Sequence, residues 1–330
     1  MSKMFSEPAS DLVRYALSGP TMGSSWSALF YGEPDLDHAP IRAALQGAVD
    51  EVDAQMSIWK PDSDLMRLNA APVGAWLPVQ AHLMAVLDLG LRIGRESDGT
   101  FDIGMGDAVR AWGFGPNDAD PGRICAALVA PRCPAHELLE LDPAGLRLRK
   151  HAAVTLDLNG IAKGYGVDRL IEMLHSHGIS AALAGIDGEM RATGLRPDGT
   201  PWVVAVESPD PARRAVHSVL TLQDAAVATS GDYRHWVELQ GRRLSHTMDP
   251  VRGGPLVMPP ASVTVLARTC AEADAWTTAL MVLGKDDGMA LAQQRGFEAL
   301  FMIREESGTR SASTGAVLGK MSAEPSHVGA

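Results

Sequence analysis

Three stretches of the chain carry apolar residues at helical spacing, and the β-prone runs among them do not alternate with them one for one. Leu45, Val49, Val52 and Met56 predict a helix over about 40–56. Leu83, Leu87, Leu91 and Ile93 predict a second over 81–97, stopped by Asp98-Gly99. Val167, Leu170, Ile171 and Leu174 predict a third over 160–177, with Gly178 as its C′ residue. Residues 271–283 read as a further helix ending at Gly284, with a shorter one near 287–294. Segment 122–150 reads as a short helix and then strands around Asp142-Pro143. Strands are expected at 154–158, 179–184, 203–207, 216–222, 243–248, 263–267 and 299–303, and a loop over Gly113–Pro121. A doubly wound parallel sheet needs regular alternation. The pattern therefore predicts a mixed α+β fold, with no internal repeat and no linker dividing the chain.

Charge narrows the function. Lys and Arg number 29 against 40 Asp and Glu, a net −11 without any basic run, which argues against sequence-independent nucleic-acid binding. A local basic pocket stays open. Cys125, Cys133 and Cys270 form no CxxC pair, so neither a zinc site nor a disulfide framework is expected, and each reads as a small buried hydrophobe. No window approaches the ~20 apolar residues of a membrane span. Met1 to Asp11 show no secretory signal and no lipid-attachment cysteine. The expected address is cytoplasmic as written, or periplasmic if an export segment has been removed. The expected organisation is a flexible leader over 1–18, one domain over 19–304 and a flexible tail over 305–330.

The densest chemistry lies in Thr155–Tyr165 (TLDLNGIAKGY). A strand ends at Asp157 and a helix begins near Gly160. Its N–H groups and Lys163 could receive phosphate, with the glycines allowing close approach. The same residues also suit a plain strand–helix junction with an Asp157–Lys163 pair. Asp274 and Thr278 are four residues apart on one helix, placing a carboxylate and a hydroxyl on the same face. Such hard oxygens suit Mg²⁺, although Asp274 could equally serve the helix dipole. Thr229–Trp236 can cradle an anion or form an Asx turn. His246 and Asp249, before a Gly-Gly turn, offer a general base or a structural histidine. Gly99–Gly106 and Trp112–Gly115 are glycine-punctuated but match no dinucleotide fingerprint. Trp59 suits either a flat ring or the core.

Taken in order, these segments resemble the FAD:protein FMN transferases of the ApbE family, from about Gly19 to Phe301. The resemblance rests on Gly19-Pro-Thr-Met-Gly23, on Met56-Ser-Ile-Trp59 with Asp64 and Asn69, and on Gly99-Thr-Phe-Asp102 with Trp112-Gly-Phe-Gly115. It continues through Asp157–Gly164 with Asp168, Thr229–Arg234, Ser245–Pro250 and Ala273–Thr278. It implies an α+β ApbE-like fold, with a central antiparallel sheet flanked by helices and a cleft for FAD. It implies Mg²⁺ on Asp274, Thr278 and the Gly160 carbonyl. Met22, Trp59, Thr100, Phe101, Asp102, Asp157, Lys163, Thr247 and Met248 would line the FAD site. Three departures stand out. Gly185-Ile-Asp187-Gly188 places an acid where the family has a compact glycine turn, Thr247 and Met248 replace two isoleucines, and the export signal of many relatives is missing.

The implied reaction is Mg²⁺-dependent transfer of FMN from FAD to a Thr or Ser hydroxyl of an acceptor flavoprotein, with AMP released. His246 is assigned to activating the hydroxyl and Asp249 to orienting it. The rivals are a pyrophosphatase cleaving FAD to FMN and AMP, and a non-catalytic FAD-binding accessory protein. Ser311–Val317 resembles the acceptor motif, but Val317 stands where a hydroxyl would be required, so self-modification is not expected.

Overall fold

The computed structural model describes residues 12–210, 215–232, 236–239, 242–305 and 308–318. Its frame is an eight-stranded sheet made of Val13–Thr21, Ser24–Gly32, Ala182–Ile186, Glu189–Thr193, Ala225–Gly231, Ser262–Ala267, Glu298–Glu305 and Gly308–Thr314. These strands lie side by side in chain order, each antiparallel to its neighbours.

Alternation along each strand explains why both faces are covered. Trp26, Ala28 and Phe30 point to one face with Ala182, Ala184 and Ile186. There they meet Leu45 and Val49 of helix Ala39–Met56 and Leu170, Ile171 and Leu174 of helix Ala162–Ser176. Leu183, Leu300 and Met302 point to the other face, where Val204, Val206, Leu220 and Leu222 of the hairpin Trp202–Glu207/Val216–Leu222 cover them. The period of two thus splits one sheet between two cores. A third and larger cluster joins helices Asp64–Ala70 and Ala81–Glu96 to helix Cys270–Arg295 through Leu65, Leu87, Phe101, Leu156 and Leu280. Each fully buried side chain of this size contributes about 1.5–3 kcal/mol.

The α+β expectation and most elements stand, with corrections at the edges. The strand from Val13 puts residues 13–18, expected in a loose leader, into the sheet. Strand Gly308–Thr314 likewise claims part of the expected flexible tail. Residues 316–318 beyond it are docked: Leu318 is fully buried, and the Glu298 carboxylate accepts from the N–H groups of Ala316, Val317 and Leu318. Segment 154–158 is no strand beyond one bridge between Met105 and Thr155. Gly284, at φ +76, breaks Cys270–Arg295 where the sequence placed a stop. Cys270 is buried, but Cys125 and Cys133 are exposed rather than core. Among the described residues no helix is long and apolar enough to cross a membrane.

Candidate active site

Helices Ala162–Ser176 and Cys270–Arg295 cap each other, and that reciprocity builds the site. A helix N-terminus leaves N–H groups without intrahelical partners. Asp274 on the second helix accepts from the Gly164 N–H in the first turn of the first, at 3.0 Å. Asp168 on the first helix accepts from Cys270 N and Ala271 N at the start of the second, at 2.8 and 2.9 Å, and from Arg191 at 2.7 Å. The contact is possible only because residue 164 is glycine: a Cβ there would stand 2.4 Å from the Cys270 carbonyl oxygen and 2.8 Å from the Asp274 Cβ.

This junction opens into a cavity of about 920 Å³. Two sheet turns reach its edge, Met22-Gly23 and Asp187-Gly188, each with both residues at positive φ. That backbone is the one two-residue hairpins favour. Asp187-Gly188 is thus the compact turn itself, and the acid does not disrupt it. Lys163 projects from the first helical turn to Asp187 Oδ2 at 3.0 Å and Glu189 Oε1 at 3.1 Å. Burial opposes its charge, yet Glu189, Asp274 and Asp187 hold its pKa above lysine's ordinary value. The expected Asp157–Lys163 pair is therefore replaced by Lys163 between Asp187 and Glu189. Asp274 is pushed up to about 7, first by burial and then by the Glu189 charge.

Asp157 stands on another wall. Burial pushes it up to about 6 against the pull of the Asn159 N–H and of Arg110. Its approach is set from below by Asn69, whose amide donates to Leu156 O at 2.9 Å and accepts from Leu156 N at 2.7 Å. Buried Lys150 donates to the Leu68 carbonyl at 2.9 Å and so fixes the end of the helix bearing Asn69. Asp102 lines the cavity while its Oδ1 ties Gly104 N and Ala135 N together, and burial raises its pKa. Thr100 and Phe101 continue this wall, the Thr100 hydroxyl donating to Ser97 O at 2.9 Å. Trp59 is 60% exposed at the rim. Ser63, the N-cap of helix Asp64–Ala70, donates to Ser57 O at 2.7 Å and steadies the loop that carries it.

Met22, Gly160, Thr278, His246, Thr247 and Met248 also line this cavity. The His246 ring stands edge-on to Phe114, centroids 6.4 Å apart. Asp249 is the exception. It does not line the cavity, and its Oδ1 accepts from Val251 N and Arg252 N at 2.9 and 3.1 Å, so it holds its own turn instead of orienting His246. Thr229–Gly231 finish a sheet strand and form no loop. Their hydroxyls bond to Thr264 and Thr277, and Asp232 pairs with Arg304. Residues 233–235 of the expected anion loop lie outside the described residues. Sequence reasoning gave no role to Asp168, Glu189 or Lys150. A buried-acid signal existed only for Asp168, on the inward face of its helix.

The donor set suits a small hard cation. Asp274 uses Oδ2 on Gly164, and a Cβ at Gly160 would lie 3.1 Å from Thr278 Oγ1, so the Gly160 backbone, the Thr278 hydroxyl and Asp274 share one corner of the cavity. All are oxygen donors with a single carboxylate among them, as Mg²⁺ accepts when substrate phosphates complete its shell. Among the described residues no group of three His, Cys, Asp or Glu stands ready for a metal.

Residues 22–301 match the ApbE family. The FAD:protein FMN transferase of Vibrio cholerae is 36% identical over 296 residues, covering 88% of each chain. The enzyme of the same name from Klebsiella pneumoniae is 34% identical over 301 residues, covering 89% of this chain and 86% of its own. The apo structure of the Pseudomonas stutzeri flavinyl transferase ApbE superposes with a TM-score of 0.83 at 36% identity, covering 95% of this chain and 98% of its own.

Proposed function

The chain belongs to the ApbE family, and from that premise we propose that it is an FAD:protein FMN transferase working with Mg²⁺ on a Thr or Ser hydroxyl of an acceptor flavoprotein. The hydroxyl oxygen bonds to the flavin-side phosphorus of FAD. The bond from that phosphorus to the bridging oxygen breaks, and AMP leaves with the electron pair. The hydroxyl proton passes to His246, the candidate base on the cavity wall.

The protein's task is positioning and charge. The N-terminus of helix Ala162–Ser176 and Lys163 attract the diphosphate. Asp274, Thr278 and the Gly160 carbonyl would hold Mg²⁺, which when bound supplies positive charge against the diphosphate oxygens. Trp59 offers a ring face to the flavin. The observation that carries the reading is convergence: Asp157, Lys163, Asp274 and Thr278, up to 121 residues apart in sequence, line one cavity of about 920 Å³.

Mass spectrometry of an acceptor peptide incubated with FAD, Mg²⁺ and the chain tests it. The expected product is a covalent FMN adduct with one AMP per adduct. Asp274→Ala should abolish the adduct while circular dichroism stays native, and full transfer by that variant would defeat the metal assignment. AMP with free FMN and no adduct would favour the pyrophosphatase. Tight FAD binding with no AMP over hours would favour the accessory protein.

A further inference from the structure

Strand Trp202–Glu207 meets the cavity with four consecutive residues, Val204, Ala205, Val206 and Glu207, and its hairpin partner Val216–Leu222 with none. Side chains alternate along it: Val204 and Val206 are buried in the core under the hairpin, whereas Ala205 is exposed. Neighbours with opposed side chains can share one wall only along the backbone edge of their strand. The hairpin is a two-stranded sheet, so that edge pairs with no strand among the described residues.

The phase of the edge follows from its end. Ser208 N donates to Ala215 O at 2.8 Å, toward the partner strand. The register shift at Val206/Glu207 puts its extra residue, His217, in the partner, so alternation along Trp202–Glu207 is kept. Val206 and Val204 therefore point their N–H and C=O groups at the partner, and Ala205 and Val203 point theirs the other way. Open edges in natural sheets are blunted by charge or proline. The two outer strands of the large sheet carry Arg14 with Pro20 and Arg310. Trp202–Glu207 (WVVAVE) has no proline and no charge before Glu207. Such an edge is a template for an added strand. The reaction identifies the occupant, because a polypeptide hydroxyl must enter this cavity. Charge narrows it: the cavity sets Asp187, Glu189 and Asp274 around Lys163, which disfavours acids beside that hydroxyl. We propose that an extended segment of the acceptor flavoprotein, without acids next to its Thr or Ser, adds as a strand to the Val203–Ala205 edge and so carries its hydroxyl into the cavity that His246 lines. The proposal rests on the transferase reading of this cavity.

Hydrogen exchange of single amides, followed by NMR on the full chain with FAD and Mg²⁺, tests the edge. The probe is the peptide of residues 311–318 (SASTGAVL), which resembles the acceptor motif but has Val317 where the hydroxyl is required, so it docks without reacting. Saturating peptide is expected to slow exchange at Ala205 and Val203 about tenfold or more and to leave the already paired Val204 and Val206 unchanged. The same peptide with Val317→Thr serves as substrate. Ala205→Pro removes one N–H from the edge, where proline is tolerated, and should raise the KM for that peptide about fivefold, the worth of one hydrogen bond, with the FAD Kd unmoved. Slowed exchange with FAD alone would give the edge to the dinucleotide. Slowing that grows with protein concentration would give it to a second copy of this chain. Either result overturns the proposal, as does saturating peptide without protection at Ala205. The exchange arm uses the unaltered chain, so misfolding of Ala205→Pro leaves the test standing. An FMN adduct on the Val317→Thr peptide without that protection overturns the edge alone, whereas failure of the unaltered chain to bind FAD defeats the transferase reading.

Discussion

The inner wall of the cavity and its rim are built on opposite plans. Inside, Asp274 accepts from the Gly164 N–H across the helix junction, and Lys163 stands between the carboxylates of Asp187 and Glu189. At the rim, Trp59 presents 60% of its surface. Preorganised charge suits the phosphate end of a reaction, where groups must not rearrange as charge moves. An exposed ring suits the end where a flat ring must enter. The difference teaches that the inner wall is positioned by the close contact of two helices, whereas the rim can change without cost to the fold.

Gly164→Ala should break the comparison hardest. Its new Cβ would meet the Cys270 carbonyl and the Asp274 Cβ, backbone and core that cannot swing aside. Overpacking of this kind costs roughly 1–3 kcal/mol, and displacement of Asp274 should remove transfer altogether. The urea midpoint and the yield of flavinylated peptide read the two effects. An unchanged midpoint with full transfer would mean that the helices are not locked here. Trp59→Ala should do the reverse. Loss of a stacking face worth about 1–1.5 kcal/mol should raise the FAD Kd about tenfold, with the urea midpoint unmoved. A drop in midpoint comparable to that of Gly164→Ala would erase the distinction between wall and rim.

Legibility in the sequence follows the same division. Helices 40–56, 81–97 and 160–177 were readable because their signals are local: an apolar face in each, and a glycine stop after the second and third. Asp274 and Thr278 were readable as a pair because four residues span one helical turn. The Asp187-Gly188 turn carried an ordinary hairpin signal, yet measured against a glycine pair it read as an intrusion. What stayed hidden depends on contacts across the chain. The pairing of Asp168 with the N–H groups of Cys270 and Ala271 spans about a hundred residues, and no spacing rule reaches that far. The edge strands at Val13 and Gly308 were hidden for a different reason: half-exposed and polar, they gain their order from the neighbouring strand rather than from their own composition.

The last effect is the most diagnostic, because it uses charge alone. Asp274 moves from an ordinary 3.8 to about 7, chiefly by burial. A raised folded-state value means that the folded chain prefers the protonated acid. The corresponding stability is complete below about pH 3.8 and is lost as pH rises through about 7. Asp157 behaves alike toward about 6. Asp274→Asn keeps an oxygen for the Gly164 N–H and does not titrate. In EDTA, where no cation can favour the carboxylate, this variant should gain melting temperature relative to the unaltered chain between pH 4 and 7 and gain no more above it. Trp59→Ala, which removes no charge, should show a difference from the unaltered chain that is flat over the same range. A flat difference for Asp274→Asn as well would mean that Asp274 is not held against its ionisation, and the inner wall would then be no more strained electrostatically than the rim.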